Sequence, residues 1–244
     1  MTKALLSRRG VEFDVRDIER DPTAFEELQA LGLMSVPVVV KGDHYVLGWN
    51  PTKVGELLGF EAQEVSTTPE HMLSTMRTVL DATIRAVRQM PDHMLTWKSP
   101  DRDRPLRQLV HHMFRNYELG VDADILGEFP ARTTWRMTRD VPTFDSAQRL
   151  VRYGEMVREK FNAWFSVVDP KAFEATIDAD VGPRTLMQVM ERTRLHSSFH
   201  LRQVYAFLEA GGVTPEAPLT LEELKQMGME DLPDDIDIRP PHMD

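Results

Sequence analysis

The sequence predicts two domains, an α/β domain at the N-terminus followed by an all-α four-helix bundle. Residues 1–62 alternate between helix-like and strand-like patterns of apolar residues, which is typical of an α/β fold. After a polar linker at residues 63–70, residues 71–212 carry four long helical patterns and few strand signals, as a helix bundle does. Residues 213–244 are predicted to form a short helix and an acidic tail.

The first domain is predicted to follow the order α-β-α-β-β-α. Val11–Ile18 alternates apolar and polar residues, as a strand does. Two further strands, Val36–Lys41 and His44–Leu47, flank Gly42-Asp43, a dipeptide that favours a hairpin turn. The second and third helices are each predicted to begin with an N-cap residue followed by proline, at Asp21-Pro22 and Asn50-Pro51.

Three segments of this domain carry a family resemblance: TKALLSRRGVEFDVRDI, Ser35-Val36-Pro37-Val38 and Gly48-Trp49-Asn50-Pro51. Together they resemble the glutaredoxin branch of the thioredoxin fold. In that family the proline of the Val-Pro pair is cis, and the backbone of the preceding residue contacts the thiol substrate. The resemblance therefore implies these roles for Pro37 and Val36. From the residues alone, Pro37 is a proline at the start of a strand, which is the commoner situation.

The domain departs from the glutaredoxin pattern at its beginning. Glutaredoxins open with a strand and a Cys-x-x-Cys or Cys-x-x-Ser motif, whereas this sequence begins at Met1 and has no cysteine. Thiol–disulfide exchange needs a thiolate, so we expect an incomplete glutaredoxin-like domain without that chemistry. One hypothesis is that Met1 is an internal start and the natural protein extends upstream. The other is a degenerate domain kept for packing or docking.

Composition excludes several classes of function. A net charge of -10 argues against broad nucleic-acid binding and against a basic membrane-binding surface. No apolar run reaches the ~18 residues of a membrane span, and the N-terminus lacks the apolar core of a secretory signal. Without cysteine, disulfide scaffolds and thiolate zinc sites are excluded, and the cytoplasm is the expected location. Any metal must therefore be bound by histidines and carboxylates.

The bundle contains a pair of histidines that suits a metal. His196 and His200 are four residues apart, so a helix presents both on one face. Two imidazoles need a third ligand from elsewhere. His112 lies at the edge of the apolar stripe of the second helix, while His111 falls on its more polar side, so His112 is the better candidate. The alternative is that these are hydrogen-bonded core histidines. The helices are predicted at Met72–Met90, Pro105–Leu126, Phe144–Val168 and Pro183–Ala210.

Residues 71–212 also carry a family resemblance, in Leu109-Val110-His111-His112 and in the pattern H-x-x-x-H-x-x-Q formed by His196, His200 and Gln203. They resemble the DinB-like family, which includes thiol-dependent S-transferases. The resemblance implies a four-helix bundle that binds a divalent metal, commonly nickel or zinc, through His112, His196 and His200. Gln203 either orients a ligand or is a surface glutamine. Many members have a second adjacent histidine where this chain has Phe199. Such bundles often form homodimers.

The two resemblances share one chemistry, the handling of small thiols. They imply a metal-dependent transferase that activates a low-molecular-weight thiol, such as the bacterial thiols glutathione, mycothiol or bacillithiol, towards an electrophile. An open metal position lowers the pKa of a bound thiol or water. No general base is predicted, and the catalytic residues are unknown. The alternatives are a non-catalytic metal-binding or stress-response module that dimerises through the bundle, and a metal-dependent hydrolase.

Overall fold

The computed structural model divides into two compact units, Met1–Ser66 and Thr67–Asp244. Residues 63–66 of the predicted linker and residues 233–244 of the acidic tail lie outside the part of the chain that the structure describes. The described residues are 2–18, 21–33, 36–61, 67–98, 104–129, 144–179, 181–230 and 232.

The N-terminal unit contains three helices and one hairpin in its described residues. The strands β1 and β2 are antiparallel, with Lys41 opposite His44, so the predicted two-residue turn forms and Gly42 takes a positive φ of 58°. Both predicted N-caps also form: Asp21 and Asn50 each accept hydrogen bonds from backbone amides of the helix that follows. The elements are α1 (Thr2–Arg8), α2 (Pro22–Ala30), β1 (Val38–Lys41), β2 (His44–Leu47) and α3 (Pro51–Leu58).

The predicted strand at Val11–Ile18 is wrong. These residues form no strand, and the two central apolar side chains of the alternating pattern lie at the surface, with Phe13 36% and Val15 52% exposed, while Val11 packs partly buried against the core of this unit. A strand requires a neighbour that pairs with its backbone amides and carbonyls. Among the described residues of this unit, only β1 and β2 pair with each other. The alternation therefore marked an extended segment but supplied no partner for it.

The second unit is a four-helix bundle, as predicted. The helices α4 and α5 each pack against both α6 and α7. In particular, α5 and α7 are in direct contact. The last helix begins three residues later than predicted because Thr185 and Gln188 form a capping box, in which each side chain bonds the backbone amide of the other residue. The helices are α4 (Pro69–Arg88), α5 (Leu106–Leu126), α6 (Ala147–Phe165) and α7 (Leu186–Ala210).

The segments that connect the bundle helices form a small three-stranded sheet. β3 (Glu128–Phe129) pairs parallel with β4 (Thr176–Ala179), which pairs antiparallel with β5 (Arg184–Thr185). Strands of two to four residues are too short to produce a periodic pattern, so the sequence did not predict them. Short 3-10 helices occupy Asp92–Thr96 and Pro170–Glu174.

The C-terminal segment is attached to the bundle through α4, where Arg85 bonds the carbonyl oxygens of Glu216 and Ala217, and through α7. The predicted capped helix forms as α8 (Leu221–Gln226), with a capping box between Thr220 and Glu223. The residues that follow α8 are held by Arg194 of α7. This side chain is fully buried and donates hydrogen bonds to the carbonyl oxygens of Met227 (2.9 Å) and Gly228 (3.1 Å). None of the described helices has both the length and the apolar character needed to cross a membrane.

Candidate metal centre

Three histidines meet at the interface between α5 and α7. His196 and His200 lie one turn apart on α7, and His112 faces them from α5. The Nε2 atom of His196 lies 3.4 Å from Nε2 of His112 and 3.1 Å from Nε2 of His200. One ligand atom from each histidine falls within 4.8 Å of the other two. Among the described residues, this is the one cluster of three His, Asp or Glu side chains with such spacing.

The spacing of these nitrogens fits a divalent metal. Imidazole nitrogens bind zinc at about 2.0–2.1 Å, and two of them in tetrahedral geometry are then about 3.3 Å apart. The two Nε2–Nε2 separations that involve His196, 3.1 and 3.4 Å, lie on either side of that value. Three nitrogen ligands would leave one tetrahedral position open to a substrate or water. The group can therefore bind a divalent metal.

Two of the three histidines are in the neutral state that metal binding requires. Burial lowers the pKa of both His112 and His196 well below the ordinary value of 6.5. The positive charges of Arg104 and Arg192 lower both pKa values further. Both imidazoles are therefore neutral at pH 7, and a neutral imidazole has the lone pair that ligation needs.

Gln203 contacts one of the three histidines directly. Its Oε1 lies 2.5 Å from Nδ1 of His200, and an amide oxygen can only accept a hydrogen bond. Nδ1 of His200 must therefore carry the proton, which leaves the lone pair on Nε2, the atom that faces His196. This is the arrangement by which neighbouring polar groups fix the tautomer of a metal-binding histidine.

Asn116 is a residue of this cluster that sequence reasoning missed. It is 1% exposed, and its Nδ2 lies 3.1 Å from Nδ1 of His196 and 3.4 Å from Nε2 of His112. Its Oδ1 has no hydrogen-bond partner among the described residues. The available signal was its position on α5, one turn after His112 and hence on the same face.

His111 does not occupy the polar environment that the sequence predicted. It is 8% exposed, and its ring stacks on Tyr153 of α6 with 5.1 Å between centroids, beside Phe144. The prediction failed because α6 packs against this side of α5 and covers it. Burial lowers the pKa of His111 to about 4. His111 does not belong to the cluster of three histidines.

The two residues that the glutaredoxin resemblance singled out lie in the N-terminal unit. The Val36–Pro37 peptide bond is cis, in agreement with the family pattern. Val36 is exposed, and its contact with a thiol substrate stays a prediction.

Comparison with known proteins assigns both parts of the chain. The family model for the DinB superfamily matches residues 75–204, which include all three histidines, and the model for glutaredoxin matches residues 1–46. The glutaredoxin-like protein NrdH of Escherichia coli K12 is 36% identical over 56 residues, which are 23% of this chain and 69% of that protein. NrdH of Shigella flexneri matches to the same extent.

Proposed function

The chain belongs to the DinB superfamily, and we propose that it is a metal-dependent transferase that activates a low-molecular-weight thiol at the centre formed by His112, His196 and His200. The observation that carries the proposal is the meeting of three imidazoles, in which Nε2 of His196 lies 3.4 Å from Nε2 of His112 and 3.1 Å from Nε2 of His200, with one ligand atom of each histidine within 4.8 Å of the others. The N-terminal segment adds support for a thiol, because it is related to glutaredoxins. This second argument is one of association, since a fold does not determine a function.

The three imidazoles would hold the metal, and zinc and nickel both suit this set of nitrogen donors. When bound, the metal supplies a positive charge that brings the pKa of a thiol at the open position towards neutrality. Gln203 holds His200 in the tautomer that presents Nε2. Arg104 and Arg192 add positive charge near the cluster, which favours a negatively charged group there.

The proposed reaction is the transfer of the thiol to an electrophilic carbon. The thiol releases its proton to solvent, and its sulfur forms a bond to the carbon. The leaving group departs with the electron pair of the bond that breaks. We assign no side chain of this protein as the general base. Glutathione, mycothiol and bacillithiol are the candidate thiols.

The test is thiol consumption in the presence of a model carbon electrophile, with each of the three thiols and with the protein loaded with zinc or nickel. We expect metal-dependent turnover that His196→Ala abolishes. The matched control is His93→Ala, because His93 is an exposed histidine outside the cluster. If no thiol gives metal-dependent turnover although metal is bound, the transferase proposal is wrong and a non-catalytic metal-binding protein is favoured.

A further inference from the structure

The orientation of the Asn116 side-chain amide is incompatible with metal binding by His196 through Nε2. For His196 to bind a metal through Nε2, the lone pair must lie on Nε2 and the proton on Nδ1, because a neutral imidazole carries one proton. In the arrangement described here, the NH2 group of Asn116 lies 3.1 Å from that Nδ1. Two hydrogen-bond donors would then face each other at a buried site.

We propose that Asn116 is a positioning residue that turns its carboxamide by half a turn and accepts a hydrogen bond from Nδ1–H of His196 when a metal binds. This inference rests on the proposed metal centre. After the half-turn, Oδ1 takes the position of Nδ2, close to Nδ1 of His196. The buried oxygen, which has no partner among the described residues, thereby gains a donor.

The half-turn of the Asn116 amide is coupled to a shift of the His196 proton from Nε2 to Nδ1. If the NH2 group of Asn116 donates to Nδ1 of His196 across these 3.1 Å, the proton of His196 lies on Nε2. From there it can be donated to Nε2 of His200, 3.1 Å away, whose own proton lies on Nδ1 against Gln203. In this arrangement the lone pair of His196 is used by Asn116. A metal ligand needs it on the other nitrogen.

The same half-turn also acts on His112. The NH2 group of Asn116 lies 3.4 Å from Nε2 of His112, the atom that would bind the metal. A donor at that distance competes for the lone pair. Turning the amide moves the donor away and places an acceptor beside His196. One buried amide thus governs two of the three ligands, while Gln203 governs the third.

The experiment compares metal affinity in the full-length protein, with Zn²⁺ titrated against a competing chelator. Asn116→Leu removes the acceptor, and we expect its affinity to fall about 10- to 100-fold, the usual effect of losing a polar partner of a ligand. Asn116→Asp keeps only acceptors, and we expect it to bind at least as tightly as the wild type. Asn162→Leu is the control, because Asn162 also has a buried Oδ1 with no partner among the described residues but lies on α6, which supplies no ligand.

The outcomes separate this inference from the proposed metal centre. If the wild type binds no Zn²⁺, the metal centre itself is wrong. If the wild type binds and Asn116→Leu binds equally well, or if Asn116→Asp loses as much affinity as Asn116→Leu, the positioning role is overturned. Nitrogen NMR of the Zn²⁺-loaded wild type gives a second measurement that does not depend on a variant folding. We expect the proton of His196 on Nδ1, and a proton on Nε2 would overturn the proposal.

Discussion

Arg194 offers a sharp test of how the C-terminal segment is held against the helix that carries His196 and His200. It is fully buried, and all five of its N–H groups have acceptors. Two of them form a bidentate pair with Glu191, at 2.9 and 2.8 Å. The others bond Thr75 and the carbonyl oxygens of Met227 and Gly228. The perturbation is Arg194→Met, which keeps an unbranched side chain but removes the charge and every donor.

The expected loss of stability follows from what the substitution leaves behind. Glu191 is only 17% exposed, so its carboxylate would stay largely buried without its partner. Breaking a buried ion pair from one side costs about 3–5 kcal/mol, because the remaining charge is uncompensated. The double variant Arg194→Met/Glu191→Met removes that charge as well, and we expect it to recover part of the loss. The carbonyl oxygens of Met227 and Gly228 stay unpaired in both variants.

The assay is urea unfolding of the full-length protein, and the control is Arg88→Met. Arg88 pairs with Glu155 at 2.8 Å, but the Arg88 side chain is exposed (58%) and that of Glu155 is only partly buried (35% exposed). Pairs of this kind contribute at most about 1 kcal/mol. We also expect limited proteolysis to cut the segment after α8 faster in Arg194→Met than in Arg88→Met. A loss below about 1 kcal/mol for Arg194→Met, equal to the control, would refute the reasoning.

Three further predictions concern His111, two glycines and Gln203. The pKa of His111 is about 4 in the folded protein and 6.5 when unfolded, so its contribution to stability is complete above pH 6.5 and is lost as the pH falls towards 4, at about 1.4 kcal/mol per pH unit. When the pH falls from 7.5 to 5, the free energy of unfolding of metal-free His111→Phe should therefore decrease by about 2 kcal/mol less than that of the metal-free wild type, as measured by denaturant titration. Equal decreases would contradict this. Gly154→Ala should cost about 1–3 kcal/mol, because its Cβ would lie 2.5 Å from the buried ring of Phe114. Gly120→Ala, whose Cβ would meet a flexible methionine at 3.1 Å, should cost less, and the reverse order in urea unfolding would be inconsistent with this packing. Gln203→Leu should weaken Zn²⁺ binding about 10- to 100-fold while Gln203→Glu retains it, and unchanged affinity in chelator competition would remove Gln203 from the site.

Local signals in the sequence predicted most of the fold. The four bundle helices, the hairpin turn at Gly42-Asp43 and the capping box at Thr220 each depend on residues close together in the chain, and each is present. The strand predicted at Val11–Ile18 failed because a strand also needs a partner, and that requirement is not local. The small β3–β4–β5 sheet was missed because its strands are too short for periodicity.

The parts of the candidate site that depend on spacing along a single helix could be predicted from the sequence. The i, i+4 relation brought His196 and His200 together, and the apolar stripe of α5 selected His112 over His111. The burial of His111 could not be predicted, because it depends on how α6 packs against α5. The contact of Asn116 with His196 likewise appears only when α5 and α7 are placed side by side, whereas its contact with His112 lies within α5. Patterns along one helix identify ligands and polar partners on the same helix, such as Gln203, whereas partners on another helix depend on tertiary packing.

The most direct test of the central claim is metal content and coordination in the purified protein. We predict stoichiometric binding of Zn²⁺ or Ni²⁺ by the wild type, and an X-ray absorption spectrum with nitrogen ligands at about 2.0–2.1 Å for zinc. His196→Ala should lose the metal while it keeps the helical circular dichroism of the wild type. Equal metal content in the wild type and in His196→Ala would contradict the account, because the metal would then be bound elsewhere.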